Sequence, residues 1–79
     1  MVKIQAIIFD KHKNDIDFIY NFLREHNIRP IKPPRETKNF IRFRLIEPER
    51  LYRNYQMINH NIDPYRNIDL ILAIKKIKI

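Results

Sequence analysis

The chain predicts a small single-domain α+β fold, a split β-α-β (ferredoxin-like) architecture spanning residues 1–79 with an extended basic β-hairpin over about residues 29–60. Three observations predict it. Residues 2–9 and 39–46 alternate with a period of two, the mark of strands. Between them, residues 15–26 switch to a helical period. A Pro-rich, strongly basic stretch then separates the helix from the second alternating segment.

The elements follow in order. In residues 2–9, Val2, Ile4, Ala6 and Ile8 take one side and Lys3, Gln5, Ile7 and Phe9 the other. Residues 10–14 are polar and turn-like. Ile16, Ile19, Tyr20, Phe22 and Leu23 then form one apolar helical stripe, which Asn14 or Asp15 can cap and Asp17 favours from the first turn. Pro30, Pro33 and Pro34 forbid a helix and suit an extended, partly unpaired segment. Extended structure resumes at residue 38. Ile41, Phe43 and Leu45 point to cover, and Phe40, Arg42 and Arg44 point away from it.

From Glu47 onward two readings stand. In one, Pro48 opens a helix over 49–61 carrying Leu51, Tyr55 and Ile58, and residues 67–75 form the last strand. In the other, residues 47–54 are a hairpin tip and 55–62 the returning strand, paired with 38–46. Asp63 then caps a helix over 64–73, and residues 74–79 close the sheet. Both give β-α-β-β-α-β. On this second reading the core is expected on Ile4, Ile8, Ile16, Ile19, Leu23, Leu70 and Ile74, with the segment 29–53 too charged and Pro-rich to order itself without a partner.

Composition narrows the function. Sixteen Lys and Arg against nine Asp and Glu give a net charge of +7, which indicates a polyanionic partner. The absence of Cys excludes disulfides and thiolate metal sites, and three scattered His lack ligand spacing. The absence of Gly removes phosphate-cradling loops, which need close backbone approach and positive φ. No apolar run reaches 18 residues, and the first residues do not read as a signal peptide. Glu47 and Glu49 flank Pro48 with no accompanying base or nucleophile, and Asp15 and Asp17 are helix-start residues, so catalysis is not expected. No cofactor, metal, membrane or small-molecule substrate is expected either. Sixteen Ile and two Ala, with Ile, Lys, Asn, Phe and Tyr making up about half the chain, indicate an AT-biased genome.

Residues 29–53 concentrate the charge: eight Arg or Lys meet three Glu. A strand that buries one face and lines the other with Phe40, Arg42 and Arg44 suits the phosphates of a nucleic acid. The alternative is an edge strand kept soluble by its charge.

Four motifs in order resemble the S-ten family of small-subunit ribosomal proteins. These are FDKHKND (residues 9–15) at the end of the first strand, PIKPPRETK (30–38) entering the hairpin, YQMINH (55–60) on its return, and DPYRNID (63–69) before a closing IKKIKI. Arg29 and Ala73 stand where the family has Gly, Asn59 and Asn61 replace basic residues around the His, and about ten residues are missing near the end. The resemblance implies a structural protein of the small-subunit head, bound to ribosomal RNA and neighbouring head proteins and supporting translation. The AT-biased composition and short chain point to a mitochondrial form, with a cytoplasmic one as the alternative. It also implies the RNA contacts: Arg35, Lys38, Arg42 and Arg44 on phosphates, Phe40 stacking on a base, and Lys11, His12, Lys13, Arg50, Arg53 and His60 as further contacts. The S-six family, another split β-α-β ribosomal protein, fits the reading with a helix over 49–61. A viral or phage protein-interaction module fits the composition alone. Helix at 64–73 favours S-ten and strand there favours S-six.

Overall fold

The computed structural model describes residues 2–48 and 53–76. Strand β1 (Val2–Asp10) leads into helix α1 (Ile16–Glu25), followed by β2 (Arg35–Glu36), β3 (Phe40–Arg44), β4 (Tyr55–Asp63) and β5 (Ile68–Lys75). The strands form one antiparallel sheet in the order β2-β3-β1-β5-β4, with the helix on one face. The domain is therefore α+β, as expected. Its described elements run β-α-β-β-β-β, one helix short of the expected β-α-β-β-α-β.

Helix α1 starts and stops by local chemistry. The Asp15 carboxylate accepts from the Phe18 amide at 2.7 Å, satisfying a donor that the first turn leaves free. At the other end Asn27 takes φ 54°, its amide donates to the Arg24 carbonyl, and the Ile28 amide donates to the Leu23 carbonyl at 2.8 Å. Closing a helix this way needs a left-handed residue. In a chain without Gly, Asn serves.

The core lies between the helix and the middle of the sheet. Ile19 and Leu23 pack on Ile7, Phe9, Ile41, Phe43 and Ile68, with Phe18, Phe22, Ile28 and Leu70 around them. Phe9 stands edge-on to Phe22 and Phe43, at 5.5 and 6.0 Å between ring centroids. Each fully buried Ile or Phe contributes about 1.5–3 kcal/mol relative to exposure. The expected core is corrected here. Ile4 and Ile16 are exposed, and Ile8 lies half-buried on the opposite face. For Ile8 the reason is a bulge: the β1–β5 register shifts between Ile4 and Ala6. One extra residue turns every later side chain to the other face, so Val2 and Ile4 share a face with Ile7 and Phe9.

Two further expectations are overturned. Residues 38–46 and 55–62 do not pair with each other: β3 pairs with β1 and β2, and β4 pairs with β5. Nor do residues 29–60 stand off the body as a hairpin, since Ile41 and Phe43 are buried in the core shared with α1 and β1. Both readings of the C-terminal half are corrected as well. Residues 55–63 are strand where one expected a helix over 49–61, of which residues 49–52 lie outside the described residues. Residues 68–75 are strand where the other expected a helix over 64–73. The closing strand at 74–79 begins earlier than expected, and residues 77–79 are outside the described set. Asp63 does behave as a cap, its Oδ1 accepting from the Tyr65 and Arg66 amides at 3.0 Å. Asn67 then takes φ 52° and ends the turn, so a hairpin forms in place of a helix.

Candidate nucleic-acid interface

Residues paired across antiparallel strands share a face. Ala6 faces Arg44, Ile8 faces Arg42 and Asp10 faces Phe40, while Arg35 of β2 faces Arg42 from the other side. Arg35, Phe40, Arg42 and Arg44 therefore stand together on the sheet face away from α1. Two shallow clefts share the three arginines. One of about 280 Å³ is completed by Ile8, Thr37 and Phe40, and one of about 170 Å³ by Lys32 and Pro33. Phe40 leaves 38% of its surface exposed.

The charges are only partly neutralised. Glu47 lies 2.5 Å from Lys32 and 3.8 Å from Arg44, one carboxylate for two cations. Among the described residues no carboxylate lies within ion-pair distance of Arg35 or Arg42. Burial first, then the cations of Arg44 and Arg35, pull the Arg42 pKa below the usual guanidinium value, yet a guanidinium stays charged at neutral pH. The site thus holds like charges close together, and an anion would relieve them.

Gln5, which the sequence reading passed over, orients Arg42. It is the bulge residue, 1% exposed. Its Oε1 accepts from the Arg42 guanidinium at 3.1 Å, and its Nε2 donates to the Ile46 carbonyl at 2.9 Å. The one signal available was a polar residue in an otherwise apolar half of the strand. Arg42 Nε remains buried without a partner. The Pro-rich segment completes the frame along the outer edge of β3, where the Ile31 amide donates to the Arg44 carbonyl at 2.9 Å.

The other expected residues are spread more widely. Lys38 is exposed in the turn between β2 and β3. Lys11 joins that turn through Glu36 at 3.3 Å and the Thr37 carbonyl at 3.2 Å, and His12 Nε2 meets Asn39 Oδ1 at 3.0 Å. Lys13 is exposed beside them. Arg53 lies in the turn before β4, away from the clefts, and Arg50 is outside the described residues. His60 faces Leu70 across β4 and β5, which puts it on the helix side of the sheet, away from the arginines. The structure thus gathers Arg35, Phe40, Arg42 and Arg44, adds Lys32, and leaves Arg53 and His60 apart.

No family model, curated protein or solved structure matches the chain.

Proposed function

We propose that the protein is an RNA-binding protein that holds the phosphate backbone on the arginine face of its sheet, with no catalytic step of its own. The observation that supports this most is the cluster of Arg35, Arg42 and Arg44, two of them with no carboxylate in ion-pair distance among the described residues, around a cleft whose apolar wall is Ile8 and exposed Phe40. Arginines supply sequence-independent phosphate contacts, and an exposed aromatic on a sheet face offers a stacking platform for an unpaired base. A single-stranded segment suits this face better than a duplex, whose stacked bases cannot reach Phe40.

The narrower reading places this binding in the head of a small ribosomal subunit, in an organelle with an AT-biased genome, among neighbouring head proteins. That reading draws on the four sequence motifs. The strand over 68–75 stands in place of the second helix of the S-ten reading, and the strand over 55–63 stands where the S-six reading has its helix, so the arginine face, which needs neither helix, carries the proposal.

Fluorescence anisotropy with single-stranded and duplex RNA across a salt series tests the proposal. Three neutralised phosphates on a single strand give a slope of log affinity against log salt of about −2. Affinity that is indifferent to salt, or unchanged on replacing Arg35 and Arg42, would remove this face from RNA. Co-sedimentation with ribosomal particles tests the narrower reading separately.

A further inference from the structure

The two edges of the sheet are treated differently. Beyond β3 the outer edge is closed by the two-residue β2 and by a segment carrying Pro30, Pro33 and Pro34, and prolines and short strands are how proteins block edge pairing. Strand β4, at the opposite edge, has no such protection. It runs nine residues, contains no Pro, and carries no charged side chain from Tyr55 to Ile62. One of its sides pairs with β5; along the other its backbone donors and acceptors are free among the described residues.

An uncovered apolar strip leads up to the same edge. Helix α1 has ten residues, about 15 Å, whereas the nine residues of β1 extend about 30 Å. It therefore covers only half of its sheet face. Beyond it, on the same face, Val2 and Ile4 of β1 lie beside Ile74 and Leu72 of β5, and Leu72 lies beside Ile58 of β4. Val2 is 57% exposed, Ile4 37% and Ile58 38%.

We propose that β4 is a self-association edge, pairing antiparallel with β4 of a second copy to make one ten-stranded sheet. Charge selects the occupant. A chain of net charge +7 repels its own kind at most approaches, but its arginine cluster sits on β3, three strand spacings or roughly 14 Å from β4. That exceeds the Debye length of about 8 Å at physiological salt. The charges that do lie near β4 oppose one another across an antiparallel seam, with Arg53, Lys75 and Lys3 (5.6 Å from the Tyr55 ring) at its Tyr55 end and Asp63 and Asp69 at the other, and a two-fold axis lets one strand serve as its own complement. The apolar strips of the two copies adjoin across the seam and extend the contact beyond main-chain hydrogen bonds. The arginine clusters come to lie seven strand spacings apart, roughly 34 Å.

The proposal does not rest on the RNA reading, and its test contains no RNA. Sedimentation equilibrium of the full chain at 0.15 M salt should show a concentration-dependent rise toward twice the chain mass of 9.8 kDa. Because the chain has no Cys, single cysteines at Gln56, Ile58, Asn59 and His60 report the seam: oxidation should cross-link one of these positions far more than the others. Ile58→Lys should return the protein to monomer with an unchanged circular-dichroism spectrum, and Ile31→Lys on the blocked edge, at a residue 50% exposed, should leave association intact. If Ile58→Lys fails to fold, concentration-dependent hydrogen exchange of residues 55–63 in the native chain gives the same information. A mass of 9.8 kDa up to several hundred micromolar with no preferred cross-link would overturn the proposal. So would a chain that remains monomeric and takes up an extended peptide along β4.

Discussion

The two halves of one sheet differ in both what covers them and what they display. The half built on β2, β3 and the end of β1 has α1 packed on one face and three arginines on the other. In the half built on β5 and β4, the core under α1 takes in Ile68 and Leu70 of β5, while Ile58 of β4 stays exposed. The display of this half has no arginine cluster: Asn59 and Asn61 stand beside Ile71 and Asp69 on the open face, with Asn61 Nδ2 bonded to Asp69 Oδ1 at 2.8 Å. The difference teaches where a small protein can hold like charges close together. Arg42 and Arg44 alternate along β3 with Ile41 and Phe43, the strand's buried residues. The backbone that presents the cations is thus anchored by two residues of the buried core, which is what a preorganised binding face needs.

The comparison breaks first if the packing is not so unevenly shared. Phe43→Ala should cost about 3–5 kcal/mol in urea denaturation, since it empties a fully enclosed aromatic site. Ile58→Ala, at a half-exposed position, should cost below about 1 kcal/mol. Similar costs at the two positions would mean that β4 is covered by something that the isolated fold does not contain.

The next effect is on binding. Replacing Arg42 and Arg44 together with Ala should weaken RNA affinity alike for different sequences. It should make the salt slope shallower by about 1.4 to 1.8, two phosphates' worth. Replacing Arg53 and His60, which lie away from the clefts, should leave the slope where it was. A slope that responds to Arg53 and His60 instead would move the RNA surface to the other half.

Much of the first half was legible in the sequence because its signals are local. The alternation of residues 40–44, the apolar stripe of residues 16–23 and the capping Asp15 each specify their own element. What stayed hidden was of longer range. β1 is apolar on both sides, so nothing in its pattern revealed that a bulge at Gln5 would exchange the faces and put Ile7 and Phe9 in the core. The partners of β3 were assigned to the neighbouring segment, whereas its buried side chains find cover against β1. In the second half Asp63 and Pro64 announce a helix and do form its first turn. The outcome is decided by Asn67 and by the sheet, where Ile68 is buried against β1 and Ile71 and Ala73 fill the other face. Of the candidate site, the arginines and Phe40 were visible as one face of a strand. Gln5 was not, since its role exists only once β1 and β3 are neighbours.

Gln5 accordingly sharpens the comparison from inside the first half. Gln5→Ala leaves the Ile46 carbonyl and the Arg42 guanidinium without their partner, and should cost about 1–2 kcal/mol of stability. Because Gln5 acts through Arg42, RNA affinity should fall less than in Arg42→Ala, and the salt slope should stay that of the native protein. A slope as shallow as that of Arg42→Ala would mean that Arg42 leaves the interface altogether without its support.

The smallest effect concerns the joint between the halves. Asp10 ends β1, accepting from the His12 amide at 2.8 Å through Oδ1 and from Asn67 Nδ2 at 3.2 Å through Oδ2. It so ties the turn beside the arginine half to the β4–β5 hairpin. The hydrogen bond from Asn67 first, then that from the His12 amide, with smaller help from the charges of His12 and Lys13, hold its carboxyl below the ordinary value of 3.8. A depressed folded pKa means that the ionised form stabilises the fold above the unfolded value, and that this contribution disappears as pH falls through the folded value. Other carboxylates titrate in the same range, so the informative quantity is the stability difference between the native chain and Asp10→Asn. It should be constant from neutral pH down to about 5 and shrink steadily below about 4. Because Asp10 is at the surface the difference is small, and salt should reduce only the part owed to His12 and Lys13. A difference that stays flat from pH 7 to 2 would show that the Asp10 carboxylate does not join the two halves. The hydrogen bonds of buried Asn14, from its Nδ2 to the Asp10 and Arg66 carbonyls at 2.9 and 2.8 Å, would then carry the polar part of the joint.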